Sequence, residues 1–143
     1  MFDNWLLKNN LLIMETNKTT LYSSCLLLYV AKADEKLEKE EIFIIKDILI
    51  DYFEIDDIDA LNIIKLSLES LKEATDVFEY ANFLNNNLAY ADKLDLVKCI
   101  FEVGYADGKL HYLEMHYIKT ISNILNIEKE DVIKANLEIR KYF

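Results

Sequence analysis

Asp34, Glu41, Asp107 and Glu114 are the residues whose type and spacing could do chemistry in this chain. Asp34 precedes Glu41 by the same interval that separates Asp107 from Glu114. Carboxylates brought to one place repel, and the repulsion is relieved by a bound cation or by a proton on one of them. Their oxygen ligands suit hard divalent ions, Ca²⁺ or Mg²⁺. A second reading needs no ion. Glu41 and Glu114 stand three residues after Glu38 and His111, the expected helix starts, and a glutamate at that place reaches back to a free backbone N–H as in a capping box. Asp34 and Asp107 would then shape turns by bonding their own backbone. In a third reading the four acids meet a partner protein.

Other chemistry finds less support. A calcium loop of the EF-hand kind needs oxygen ligands at its first, third and fifth positions. Counted from Asp107, the third and fifth are Lys109 and His111; counted from Asp34, they are Lys36 and Glu38. Zinc-protease chemistry wants two histidines four apart on a helix, whereas His111 and His116 are five apart and read as surface histidines. No histidine follows a glutamate by three, as carboxylate-bridged di-iron bundles require. Gly104 and Gly108 are too isolated to build a phosphate loop. Cys25 and Cys99 lie in apolar stretches and read as small buried hydrophobes, without a partnered histidine. With no nucleophile–base pair and no cofactor motif, an enzyme is not expected.

The elements that must hold these acids are helices. The chain has 143 residues, no proline and two glycines, and half of it is hydrophobic (52%). Tight turns draw on Gly and Pro, so sandwiches and barrels are disfavoured. Apolar residues recur at spacings of three and four, as in Ile42, Ile45, Leu49 and Tyr52. The spacing predicts a first helix over 2–14, a second from Thr19 or Thr20 to about 33, and a third over 38–53. It predicts a fourth over 56–71 opening on the acidic Asp56-Asp57-Ile58-Asp59, which suits a helix N-terminus, and a fifth over 75–84. Asn85-Asn86-Asn87 reads as a break, followed by a sixth helix to about 106, a turn at Asp107-Gly108, a seventh over 111–125 and a last one over 128–142. The aromatic residues, among them Phe43, Tyr52, Phe78 and Tyr112, fall at helical spacing and are expected mostly in the core.

The helices repeat. Val30-Ala31-Lys32-Ala33-Asp34-Glu35-Lys36-Leu37 and the run to Ile42 align with Val103-Gly104-Tyr105-Ala106-Asp107-Gly108-Lys109-Leu110 and the run to Met115, at an offset of 73 residues (107 − 34). Ile45 then pairs with Ile118 and Ile48 with Ile121. The shared pattern, A-D-x-K-L-x-x-x-E, marks one helical hairpin used twice. The fold expected is an all-α bundle of seven to eight helices within a single domain over 1–143. Its two pseudo-symmetric hairpins would cover about 20–53 and 92–126.

At these residues the chain resembles the TerB-like tellurite-resistance family, whose signature is a duplicated A-D-G-x-hydrophobic-x-x-x-E loop, each copy followed by an amphipathic helix. Ala106 through Glu114 fits that signature. Ala33 through Glu41 fits except that Glu35 stands where the family has glycine. The resemblance covers about 20–127. It implies an all-helical fold of about seven helices and a bacterial stress-response setting. It also implies acidic loop residues that bind a metal ion or a partner.

The charge sharpens the choice of partner. Sixteen basic and 26 acidic residues leave a formal net charge of −10. Such a surface repels nucleic-acid backbones and anionic membranes and attracts cations and basic proteins. The longest apolar run, Cys25 to Ala31, is too short to insert in a membrane, and Asp3 sits where a secretory signal would be basic. A cytoplasmic, non-enzymatic domain working by protein contact is the expectation. A small acidic immunity or antitoxin protein that neutralises a basic toxin is the alternative.

Overall fold

The absence of proline allows long uninterrupted helices, and the computed structural model is built of them. It describes residues 10–33, 37–73 and 77–143, with side-chain surroundings from residue 18 onward. Seven helices lie within the described residues: α1 (Asn10–Ala31), α2 (Lys39–Tyr52), α3 (Asp57–Glu73), α4 (Phe78–Asn87), α5 (Tyr90–Gly104), α6 (Tyr112–Ile124) and α7 (Lys129–Arg140). No strand occurs among the described residues.

Helix α1 is the axis of the bundle. Its run Cys25-Leu26-Leu27-Leu28 is fully buried, as are Val30 and Ala31. A helix that is apolar on every side must be covered on every side, and α2, α3, α4, α5 and α6 all pack against it. Helix α7 is held from outside the axis, by α5. The buried side chains form one contiguous core from Cys25 to Ile139. A polar seam fixes α1 against α3: Ser67 donates to the Ile63 carbonyl at 2.7 Å, and its oxygen lies 2.8 Å from the Ser24 hydroxyl.

Two boundaries depart from the expectation. Helix α1 runs unbroken through Glu15–Thr20, where a break between two helices was expected. Threonine and asparagine inside a helix cost at most about 0.7 kcal/mol each, and this segment holds neither glycine nor proline to stop the helix. Helix α4 runs through the asparagine triplet to Asn87 before the chain turns at Leu88-Ala89. Here Asn87 donates its side-chain amide to the Phe83 carbonyl at 2.8 Å, and Leu88 N–H reaches Leu84 at 2.9 Å. The asparagines join the helix end instead of interrupting it. Residues 1–9, where the expected first helix begins, and the expected start of the fifth at Thr75 lie outside the described residues.

The C-terminal part is tied down by tyrosines. Tyr105 donates its hydroxyl to Asn136 at 2.6 Å, and the Tyr90 hydroxyl donates to Asp131 while receiving the Glu128 N–H at 3.0 Å. Both fasten α7 to α5. Lys93, a largely buried cation, donates to Asn85 at 2.9 Å, which joins α5 to α4.

Candidate functional site: the paired acidic bends

Both copies of the repeat leave a buried helix, bend, and re-enter a helix whose third residue is a buried glutamate. The backbone hydrogen bonds that lead into the bend recur in each. Lys32 N–H bonds to Leu28 and Ala33 N–H to Val30 (2.9 and 3.0 Å); Tyr105 N–H bonds to Phe101 and Ala106 N–H to Val103 (2.9 and 3.1 Å). Glu38 and His111, both extended, then begin α2 and α6. Glu38 N–H donates to Glu41 Oε1 at 3.0 Å, and His111 N–H donates to Glu114 Oε1 at 3.0 Å. Each glutamate thereby satisfies a backbone donor that a helix start leaves orphaned. Beneath them, Ile45 and Ile118 occupy equivalent, fully buried positions.

The second bend carries the remaining acid of the motif. Asp107 Oδ1 accepts the Lys109 N–H at 3.0 Å, and Oδ2 lies 2.8 Å from His111 Nε2. These contacts with His111 and the Lys109 amide hold the Asp107 carboxyl below the usual range. His111, expected as a lone surface histidine, is exposed but is also a hydrogen-bond partner of Asp107 and the first residue of the α6 cap. Gly108 follows at φ +94°, in the left-handed region that glycine enters without penalty. Asp34 and Glu35, their counterparts in the first bend, lie outside the described residues.

The bends meet electrostatically. Burial, reinforced by the negative charges of Glu41 and Asp107, pushes the Glu114 carboxyl up to about 7 against the pull of the His111 N–H. Glu114 therefore lies within electrostatic range of both Glu41 and Asp107, at the pole of the bundle where α2 and α6 begin. Their oxygens are already committed in part. Glu41 and Glu114 each give one to a backbone amide, and Asp107 gives both. Among the described residues no group of three His, Cys, Asp or Glu side chains converges as a metal site would require.

One feature of the pole departs from the sequence expectation. Tyr112 is 84% exposed and Leu113 43%, side by side in the first turn of α6. Tyr112 was expected in the core with the other aromatics, and Phe43 and Phe78 are likewise exposed. The helical period contained the signal. The buried stripe of α6 is Glu114, Ile118, Ile121, and Tyr112, two positions before that stripe begins, points about 200° away from it.

The cysteines do not belong to the site. Cys25 and Cys99 are buried free thiols, pushed up to about 11 and 12 by desolvation. No helix among the described residues is long and apolar enough to cross a membrane.

Comparison with known proteins agrees with this geometry. Searches of curated proteins and of solved structures return no match. The family model described as tellurite resistance protein TerB matches residues 20–137, from the middle of α1 to the last turns of α7, and so includes both bends. The chain thus belongs to the TerB family of tellurite resistance proteins.

Proposed function

We propose that this TerB-family chain is a non-catalytic binding domain serving tellurite resistance or a related stress response, and that it acts by contact with a basic protein at the pole of the two bends. The observation that carries this reading is the exposure of Tyr112 and Leu113 in the same turn that buries Glu114. An exposed tyrosine beside an aliphatic residue, next to the exposed Asp107–His111 pair, has the make-up of a protein-contact centre with a polar rim. The net charge of −10 steers a cationic partner toward it. A divalent cation held by Asp34, Glu41, Asp107 and Glu114 is the competing reading of the same pole. The oxygens already bonded to backbone and to His111 favour the protein-contact reading.

Deleting the gene in its source organism is expected to lower survival on tellurite, and the wild-type copy to restore it. The variant Tyr112→Ser/Leu113→Ser, folded by circular dichroism, is expected not to restore it. Full restoration by that variant, or no effect of the deletion, would overturn the reading. Calorimetry with millimolar Ca²⁺, Mg²⁺, Mn²⁺ and Zn²⁺ is expected to give neither heat nor a change in Tm. Binding that disappears in Glu41→Gln would reinstate the cation site.

A further inference from the structure

Helices α2 and α5 flank a half-open groove of about 450 Å³, to which Phe143 also contributes. Its floor is apolar: Ile48 and Cys99 are buried there, with Ile44 and Tyr52 beside them. Its walls are acidic. Asp47 and Asp51, one helical turn apart, come from α2, and Glu102 faces them from α5. The acidic line continues along α5, since Asp95 and Asp92 both act on Tyr52 and Asp95 and Glu102 both act on Cys99. From residue 92 to residue 102 the helix rises about 15 Å. The groove is therefore a trough with a greasy floor and a carboxylate rail on each side.

These five carboxylates have no ion-pair partner among the described residues. The neighbouring lysines turn away from the trough: Lys46 of α2 pairs with Asp57 at 2.6 Å, and Lys98 of α5 pairs with Glu138 at 3.0 Å. The negative charge over the floor is left uncompensated, and half-burial alone raises the Glu102 carboxyl above its ordinary value. A point ion would satisfy part of one wall and leave the floor wet. A flexible polyamine would satisfy the rails and gain nothing from the isoleucines. Only a ligand with cations along both edges and an apolar face between them uses every part of the trough, which is the pattern of an amphipathic helix laid in a groove.

We propose that the α2–α5 trough is a second docking surface, for a lysine- or arginine-flanked amphipathic helix of a protein partner. It shares with the functional reading only the basic character of the partner. Neither Tyr112 nor Leu113 lines the trough, so failure of either test leaves the other standing.

The probe is a fluorescein-labelled 14-residue Leu/Lys amphipathic peptide, titrated with the full chain and read by fluorescence anisotropy. Three comparisons accompany it: the same composition scrambled to destroy the apolar face, spermine as competitor, and Ca²⁺ as competitor. Wild-type protein is expected to bind the amphipathic peptide at least tenfold more tightly than the scrambled one. Neither spermine nor Ca²⁺ at equal charge concentration is expected to displace it. Asp47→Asn/Asp51→Asn/Glu102→Gln is expected to weaken binding at least tenfold. Asp59→Asn/Glu69→Gln/Glu73→Gln removes the same charge from α3 and is expected to leave affinity within twofold. Equal loss in the two triple variants, equal binding of the scrambled peptide, or displacement by spermine or Ca²⁺ would each overturn the proposal. Should the first triple variant unfold, Cys99→Trp, read on a sample shown folded by circular dichroism, fills the floor without touching a rail. It is expected to abolish binding, and retained binding would overturn the proposal.

Discussion

Glu41 and Glu114, 73 positions apart, perform the same local task and oppose each other electrostatically. Each accepts its own helix's first backbone N–H at 3.0 Å, and the charge on Glu41 raises the pKa of Glu114. Duplication of a hairpin has brought two acidic caps to one end of one bundle, where burial and proximity work against keeping both ionised.

That opposition sets a pH dependence. The Glu114 carboxyl moves from an ordinary 4.5 to about 7. A raised folded-state value favours folding below the unfolded value, where both states hold the proton. As pH rises past 4.5 the unfolded chain releases its proton first, and the contribution is lost by pH 7 to 8. A shift of this size is worth on the order of 2–3 kcal/mol. Urea unfolding at pH 5 and pH 8 should show Glu114→Gln, which keeps an oxygen for the His111 N–H, gaining stability on wild type by that amount at pH 8 relative to pH 5. An identical pH slope in the two proteins would mean that Glu114 ionises normally.

The caps were legible in the sequence because capping is local. Three residues separate Glu38 from Glu41 and His111 from Glu114, and no knowledge of the fold is needed to place a glutamate where it reaches a free N–H. The repeat was legible because the same residue types return in register at an offset of 73, down to the paired isoleucines Ile45 and Ile118. The continuity of α1 through Thr16 and Asn17 was not. A polar run resembles a loop until five helices are known to cover the segment that follows it, and tertiary burial outweighs the small propensity cost. The α2–α5 trough was invisible for a related reason. Asp47 and Glu102 become neighbours only through the packing of helices distant in the chain, and in so acidic a sequence no spacing singles them out. Tyr112 was misassigned through its residue type, although its angular position on α6 pointed outward.

The two thiols should be inert while the protein is folded. Desolvation holds Cys25 near 11 and Cys99 near 12, so almost no thiolate exists at pH 8. Iodoacetamide at pH 8 should leave both unmodified by mass spectrometry over a period in which both are alkylated fully in 8 M urea. Rapid labelling of Cys99 in the folded chain would show that the trough floor opens to solvent.

Gly108 isolates a pure backbone effect. Its φ is +94°, and a Cβ added there would meet nothing within 4 Å. Gly108→Ala should therefore cost about 1 kcal/mol through left-handed strain alone. Gly108→Asn should cost less, because asparagine tolerates positive φ. Denaturant midpoints compare the three directly, and an alanine variant as stable as wild type would show that the turn readily adopts another conformation.

Gly104 presents the opposite case, where space decides. An added Cβ would lie 2.6 Å from Leu110 Cδ1 and 3.4 Å from Ile118 Cδ1. Leu110 folds back onto the end of α5 as the apolar pin of the bend, and the first repeat carries Ala31, fully buried, at the equivalent place. The obstructing atom is the tip of a flexible side chain, and alanine improves helix propensity by about 1 kcal/mol over glycine. These terms oppose, so Gly104→Ala should stay within about 1 kcal/mol of wild type. Gly104→Val adds two methyl groups against the same leucine and Ile118. It should lose about 1–3 kcal/mol by overpacking, and Gly104→Val/Leu110→Ala should recover part of that loss by opening the space. Urea unfolding of wild type, Gly104→Val, Leu110→Ala and the double variant closes the cycle, with Gly104→Ala measured beside them. Valine tolerated as well as alanine, with no coupling to position 110, would mean that Leu110 does not press on the helix end and that the bend is held by its caps alone.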